Sequence, residues 1–507
     1  MESRIQFAKK NVLFSTSGNI INILLGFIVR TIFISTLGVK YLGVNGLYSN
    51  LLSVLSLAEL GIGTAMNFSL YKPIAKNDFE KIKVLMQIYK TAYRIIALIV
   101  LLLGLSLLPF INLIIKDPGS LSINELRIYF LIFLVNTVST YLVSYKYSLL
   151  NGEQKNYIQT NIQVITQIII VVCQLIVLIK FENYLLYLLV FGFINLLQKI
   201  IVNNYLNKLY PYLLEKDFIK LSDKEVKTIR KNIFSLFIHK IGDISLHQTD
   251  NIIISAFVSL SAVGLLSNYK LILISLIGLV DVIFYSVISG FGNLIAVENK
   301  EKQYEVFKAY RFLSFWIYGF ITISLFILIT PFIRIWIGES MVLSENIIFL
   351  YIMNYYFKAH RIALNNFKNA AGIFNADKFI AIFQSIFNLI ISIILVKHIG
   401  ISGVFIGTIL SGLISNLTKP FIIYELAFQK KAREYYIDSI KYLFIFTVAT
   451  SILYLLKQAI YVEFSITNFC FLLLLVILIT NSVFYVFLHK RPEFGYYSTV
   501  IKNMIKV

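Results

Sequence analysis

Residues 42–70 read LGVNGLYSNLLSVLSLAELGIGTAMNFSL. One carboxylate, Glu59, is the only charge in the run, and the run exceeds the roughly 20 residues that cross a bilayer core. It also holds Gly61 and Gly63, points where a helix bends most easily. The reading is a membrane helix that keeps an acid and a hinge within it. Comparable apolar runs recur along the whole 507-residue chain, of which 58% is hydrophobic and 14% charged. A soluble protein of this size needs more polar surface, and a transmembrane barrel would show short alternating segments instead. The fold class expected is therefore an all-α integral membrane protein.

Fourteen spans are expected, near 12–36, 42–70, 85–115, 124–150, 157–179, 184–206, 230–257, 262–296, 305–336, 346–370, 377–396, 402–428, 435–456 and 465–489. The net charge of +20 is a loop property rather than a nucleic-acid signal. The N-terminus, the loops after even-numbered spans and the C-terminal tail hold 28 Lys and Arg. The opposite loops hold Lys40, Lys116, Lys180, Lys397 and Lys457. This bias places both termini in the cytoplasm. The basic start of the chain runs into an apolar stretch too long for a signal peptide and is read as a retained first helix. Cys173 and Cys470 lie in separate apolar runs, so neither a disulfide nor a metal site is expected.

The chain repeats itself. Displaced by 221 residues, Lys10-Asn11 falls on Lys231-Asn232, Asn22 on Asp243, Gly43 on Gly264, Tyr48 on Tyr269 and Tyr89-Lys90 on Tyr310-Arg311. Each repeat holds six spans, an even number, so both enter from the same side and their pseudo-twofold axis runs along the membrane normal. The expected organisation is a six-helix lobe over 1–210, a cytoplasmic linker over 211–229 and a second six-helix lobe over 230–430. Two extra helices over 431–489 and a cytoplasmic tail over 490–507 follow.

Polar residues inside spans are costly and mark cavities or partners. Asn11, Ser15, Gly18, Asn22, Gly26 and Arg30 share one face of the first span, spaced by three or four. His239, Asp243, His247 and Asn251 form the matching stripe on the seventh, with Asp250 close by. Small and amide residues on such faces also glue helices together. Asp281 lies one residue from the repeat equivalent of Glu59, and Lys358 and Arg361 sit in the tenth span. Tyr145 and Lys146 occupy the matching region of the fourth. Arg30, Asn22, Glu59, Arg361, Lys358, Tyr145 and Lys146 are the expected cargo-cavity residues. A guanidinium that keeps its charge and binds phosphate oxygens in pairs points to an anionic cargo such as a diphosphate. His239, Asp243, His247, Asp250 and Asp281 are the expected cation- or proton-coupling groups, and Gly61 and Gly63 the hinge. The His–Asp–His spacing lacks a fourth metal ligand.

The stretch YLGVNGLYSNLLSVLSLAELGIGTAMNFSLYKPIAKNDFEKIKVLMQIYKTAYR (41–94) resembles the second and third helices of Wzx-type oligosaccharide flippases. These belong to the multidrug/oligosaccharidyl-lipid/polysaccharide exporter superfamily. The features that match are YLG, LSLAELGIG, SLYKP with its following acidic and Lys loop, and the Tyr89-Lys90 pair. The resemblance implies a flippase, not an enzyme. Its cargo would be an undecaprenyl-diphosphate-linked oligosaccharide, turned from the cytoplasmic to the outer leaflet of the bacterial cytoplasmic membrane by alternating access. Arg30 matches the family's basic cavity residues, and helices 13–14 resemble the region that forms a lipid-tail groove in the lipid II flippase branch. No cofactor is implied beyond Na⁺ or a proton as coupling ion. A polysaccharide polymerase and chain-length or export proteins are the implied partners. The alternatives are a cation-coupled multidrug exporter of the same superfamily, against which the arginines count, and a membrane polymerase, which would need larger outside loops.

Overall fold

A computed structural model describes residues 4–59, 62–215, 248–373, 376–459 and 465–505. Among them there is helix and no strand. The contacts divide the chain into two compact units, Met1–Ser267 and Asn268–Val507.

In the first unit, α1 spans Arg4–Leu37, and Gly38, with a φ of 82° that suits glycine, turns the chain into α2, Val39–Leu55. A 3₁₀ turn over Ser56–Glu59 follows, then α3, Ile62–Ala75. Asp78 caps α4, Phe79–Leu107, by accepting from the Lys81 backbone N–H. A single-turn α5, Ile111–Ile114, leads to α6, Ile123–Gly152, which starts at a reciprocal Ser122–Glu125 capping box. Helices α7, Asn156–Phe181, and α8, Tyr184–Leu209, complete the bundle. The chain resumes in α9, Thr249–Phe257, and α10, Leu260–Ser286, whose first two turns belong to this unit.

The second unit continues with α11, Ile288–Val297, and α12, Lys300–Ile337. Next come α13, Glu345–Ala359, α14, Ile362–Ala370, α15, Lys378–Ile399, and α16, Ile401–Ile423. Helices α17, Arg433–Ala459, α18, Ile466–Leu488, and α19, Pro492–Ile505, end the chain. The last three pack on α12 around Phe315, Tyr442, Phe446 and Phe484.

Eleven helices among the described residues are long and apolar enough to cross a membrane. Each matches an expected span. Of the other three expected spans, two are interrupted and one falls mostly outside the described residues. Span 42–70 is interrupted at Ser56–Glu59, and span 346–370 is parted at His360–Arg361 into α13 and α14. Span 230–257 and the linker 211–229 lie mostly outside the described residues. Span 262–296 also breaks, at Val287, between α10 and α11.

The repeat is visible in how each unit is tied. Tyr48 is fully buried and its hydroxyl donates to the Leu126 carbonyl at 2.8 Å, fastening α2 to the start of α6. Its repeat counterpart, Tyr269, is equally buried and accepts from the Leu343 backbone N–H at 2.9 Å, just before α13 begins. A buried phenol keeps such a partner because an unpaired one is costly.

Candidate functional site

The polar face of α1 serves two purposes. At its start, Asn11 Nδ2 donates to the Gln154 carbonyl and its Oδ1 accepts from the Tyr157 N–H, both at 2.8 Å. Gly18 lies against α7, where a Cβ would meet Val164 at 2.9 Å. That half of the stripe fastens α1 to α7, as small and amide residues do in membranes. Asn22 is exposed. Arg30, near the far end, donates from Nη1 to the Ser267 hydroxyl at 2.6 Å.

Ser267 in turn donates to the Gly264 carbonyl at 2.7 Å. Gly264 is where α10 crosses α2. A Cβ on Gly43 would run into the Leu260 carbonyl oxygen, and one on Gly264 into the Val39 carbonyl oxygen. The same displacement of 221 that maps Gly43 on Gly264 maps Val39 on Leu260. The crossing is thus symmetric: each glycine receives the backbone of the residue equivalent to its own i−4 neighbour. Arg30 hangs from this crossing through one serine.

Glu59 stands elsewhere in the first unit. It helps line a polar cavity of about 580 Å³ bounded by α3, α4, α6, α7 and α8. Its Oε1 accepts from the Tyr93 hydroxyl at 2.6 Å, and the Tyr89 hydroxyl reaches that of Tyr93 at 3.4 Å. Gly63 faces both phenols, so a Cβ there would meet each oxygen at 3.2 Å. Among the described residues Glu59 takes part in no salt bridge, so its partner is a phenol and not Arg30. Gly61 lies outside the described residues. Gln163, Gln167 and Asn195 supply further hydrogen-bonding groups to the cavity wall.

Tyr145 and Lys146 line a second cavity, of about 460 Å³, between α4, α6 and α8. The two cavities lie on different faces of α6 and share Val143 and Lys199, and Arg30 lines neither. Lys146 Nζ donates to Asn203 Oδ1 and Asn207 Oδ1, each at 2.5 Å. Lys83, Lys90, Arg94 and Lys199 line the same space. Sequence reasoning named Lys90 only as a repeat and family match and passed over Arg94 and Lys199, although a cation inside an apolar run was the signal that could have found them.

In the second unit, Asp281 Oδ1 accepts from the Tyr318 hydroxyl at 2.6 Å, an acid–phenol pair like that of Glu59 and Tyr93. Arg361, at the junction of α13 and α14, donates from Nη1 to the Gly412 carbonyl and, at 3.1 Å, to Asn416 Oδ1. Lys358 is exposed near the end of α13. Asp250 is half-buried in the first turn of α9, while His239, Asp243 and His247 lie outside the described residues. Among the described residues no three His, Cys, Asp or Glu side chains group as metal ligands would.

No curated protein sequence matches the chain. Among solved structures it superposes on the lipid II flippase MurJ in an inward closed conformation, with a TM-score of 0.69 and 16% identity over 94% of this chain and 98% of that one. An inward-facing multidrug resistance MATE family transporter of the MOP superfamily gives a TM-score of 0.59 at 14% identity, over 80% of this chain and 95% of that one. The Vibrio cholerae MATE transporter VcmN, as a mutant, gives 0.56 at 15% identity, over 84% and 97%. At such identities the likeness is one of fold. A family model described as polysaccharide biosynthesis protein matches residues 8–291. That match spans more than half of the sequence, and the chain belongs to the polysaccharide biosynthesis protein family, built on the fold of the MOP-superfamily transporters.

Proposed function

We propose that the protein is a Wzx-type flippase that carries an undecaprenyl-diphosphate-linked oligosaccharide from the cytoplasmic to the outer leaflet of a bacterial cytoplasmic membrane. The observation that carries this reading is Arg30. A guanidinium within an apolar span is expensive and marks a cavity or binding site, and the Nη1 of this one donates to the Ser267 hydroxyl. A fixed cation on the first helix suits a diphosphate, whose oxygens match the guanidinium fork. Membership in a polysaccharide biosynthesis family supports a glycan as the rest of the cargo. Polymerisation or export proteins would then receive the product on the outer face. The proton or Na⁺ that would drive the cycle falls to the acid–phenol pairs, Glu59 with Tyr93 and Asp281 with Tyr318, together with Asp250.

Arg30→Ala is expected to cut surface polysaccharide by about tenfold or more while lipid-linked precursor accumulates, the loss of roughly 1.4 kcal/mol or more of cargo binding. Arg30→Lys should recover part of it, because an ammonium supplies the charge without the fork. Normal glycan at normal protein level in Arg30→Ala overturns the reading. One observation favours the multidrug alternative: the cavity around Glu59 sets a carboxylate beside three phenols, Tyr89, Tyr93 and Tyr147, a setting for organic cations. Resistance to cationic drugs on overexpression, lost in Glu59→Gln but kept in Arg30→Ala, is the outcome that would decide for it.

A further inference from the structure

The cavity between α4, α6 and α8 gathers cations without acids. Lys83 is paired, its Nζ 2.6 Å from Glu80 and 2.8 Å from Glu215. Beyond it, Lys90 and Arg94 continue the same face of α4, spaced by seven and four residues, and make no hydrogen bond or salt bridge among the described residues. Lys146 is held by Asn203 and Asn207. Lys199 is held by Asn136 Oδ1 at 3.0 Å and Ser139 Oγ at 2.7 Å. Four cations in membrane helices therefore share one space with no acid paired to them among the described residues, which hydrocarbon tolerates poorly. The space opens sideways, past Leu142 and Ile200, which are 51% and 58% exposed on the apolar surface.

The repeat shows what such a face requires. Displaced by 221, Lys83, Gln87, Lys90 and Arg94 become Tyr304, Lys308, Arg311 and Phe315 on α12. All four of these are covered by α17. The Tyr304 hydroxyl donates to Glu434 Oε2 at 2.6 Å, and Lys308 Nζ lies 3.7 Å from Glu434. Arg311 Nη2 donates to the Tyr435 carbonyl at 2.9 Å and to Ser439 Oγ at 2.8 Å. Phe315 stacks on Tyr442 with ring centroids 4.2 Å apart. In the second unit a helix bringing a carboxylate and carbonyls fills the position. In the first unit no helix among the described residues does so, and the face is more cationic.

We propose that this pocket seats the phosphate of a membrane lipid from the leaflet at the basic end of the bundle. The phosphate oxygens meet Lys90, Arg94, Lys146 and Lys199, and the acyl chains run along Leu142 and Ile200. The lipid does for α4 what α17 does for α12. An apolar rim around a cationic floor selects a lipid over a free anion, since a free anion gains nothing from the rim. This site is separate from Arg30 and does not rest on the cargo assigned above.

The test uses the full-length protein in neutral detergent, titrated with dioctanoyl phosphatidic acid, dioctanoyl phosphatidylcholine or inorganic pyrophosphate, with binding read by native mass spectrometry. Phosphatidic acid is expected to bind about tenfold tighter than either of the others. Lys90→Gln with Arg94→Gln should weaken it by about tenfold. The unfolding midpoint of the lipid-free double variant should stay at that of the wild type, because neither side chain has a hydrogen-bond or ion-pair partner among the described residues. Gln87→Glu, which sets a carboxylate among the cations, should weaken it in the same direction. Lys300→Gln with Lys490→Gln, two exposed cations away from the pocket, should bind as the wild type does. Equal binding of phosphatidic acid and phosphatidylcholine overturns the proposal. So does pyrophosphate binding as tightly as phosphatidic acid, which would mark a free-anion site, or unchanged binding in both pocket variants.

Discussion

Alanine at Gly43 is expected to lower stability by about 3 kcal/mol, the upper end of the range for overpacking. The obstacle is the Leu260 carbonyl, and backbone cannot rotate aside as a side chain can. Gly264→Ala should cost the same, because its Cβ meets the Val39 carbonyl and comes within 3.0 Å of the Gly43 nitrogen. The double substitution should cost well short of the sum. One separation of α2 from α10 accommodates both methyl groups, and neighbouring sites that share a displacement are non-additive. Thermal unfolding in detergent measures all three variants. Gly278→Ala is the control: nothing lies within 4 Å of its Cβ, and alanine should gain up to about 1 kcal/mol of helix propensity. Additive losses at Gly43 and Gly264 would mean that the two do not share one crossing. Because Ser267 hangs on Gly264, Gly264→Ala should also reproduce the glycan defect of Arg30→Ala.

Asp377→Asn should be more damaging still, at about 3–5 kcal/mol, the usual cost of removing one partner from a buried ion pair. Asp377 is 5% exposed and takes Lys368 on Oδ2, with Lys419 Nζ at 3.4 Å from the same oxygen. The asparagine variant leaves a buried lysine, Lys368, and a half-buried one, Lys419, without that counter-charge. Adding Lys368→Met should recover most of the loss, and no recovery would show that the aspartate acts through something other than charge. Burial pushes the Asp377 carboxyl up, but the hydrogen bond from Lys368 and the charge of Lys419 outweigh it and hold the group below the usual carboxylate range. A depressed folded pKa contributes stability above the unfolded value of about 3.9, lost only as pH falls through the folded value. Unfolding midpoints should therefore be insensitive to this group from pH 8 to about 5 and fall in acid below about 4.

Hydropathy made the spans legible because length and apolarity are properties of each segment alone. The interruptions at Ser56–Glu59 and at His360–Arg361 were not legible, since both interrupted runs read as continuous spans. The partner of Glu59 was hidden for another reason. Tyr93 lies 34 positions away, and only the packing of the turn before α3 against α4 decides that this phenol reaches it. Spacing placed Asn11 and Gly18 on one face with Arg30, but a face of 34 residues can meet more than one neighbour. Its first half meets α7 and its far end meets α10. Tyr145 and Lys146 followed the same rule on α6, whose two polar faces address separate cavities. The symmetric meeting of Gly43 and Gly264 was half visible: the repeat paired them in sequence, while their contact needed coordinates.

The hold of α17 on Arg311 has a consequence for how such a chain could be shortened. The guanidinium carbon lies 3.7 Å from the centre of the Tyr435 ring and 5.5 Å from that of Tyr442. A gene cut after residue 430 would remove α17, α18 and α19. It would bare a guanidinium, 4% exposed in the intact protein, to hydrocarbon, together with the aromatic seam beside it. Loss of these three helices should cost less in an Arg311→Leu background. The residue at 311 thus sets how far the chain can be cut back.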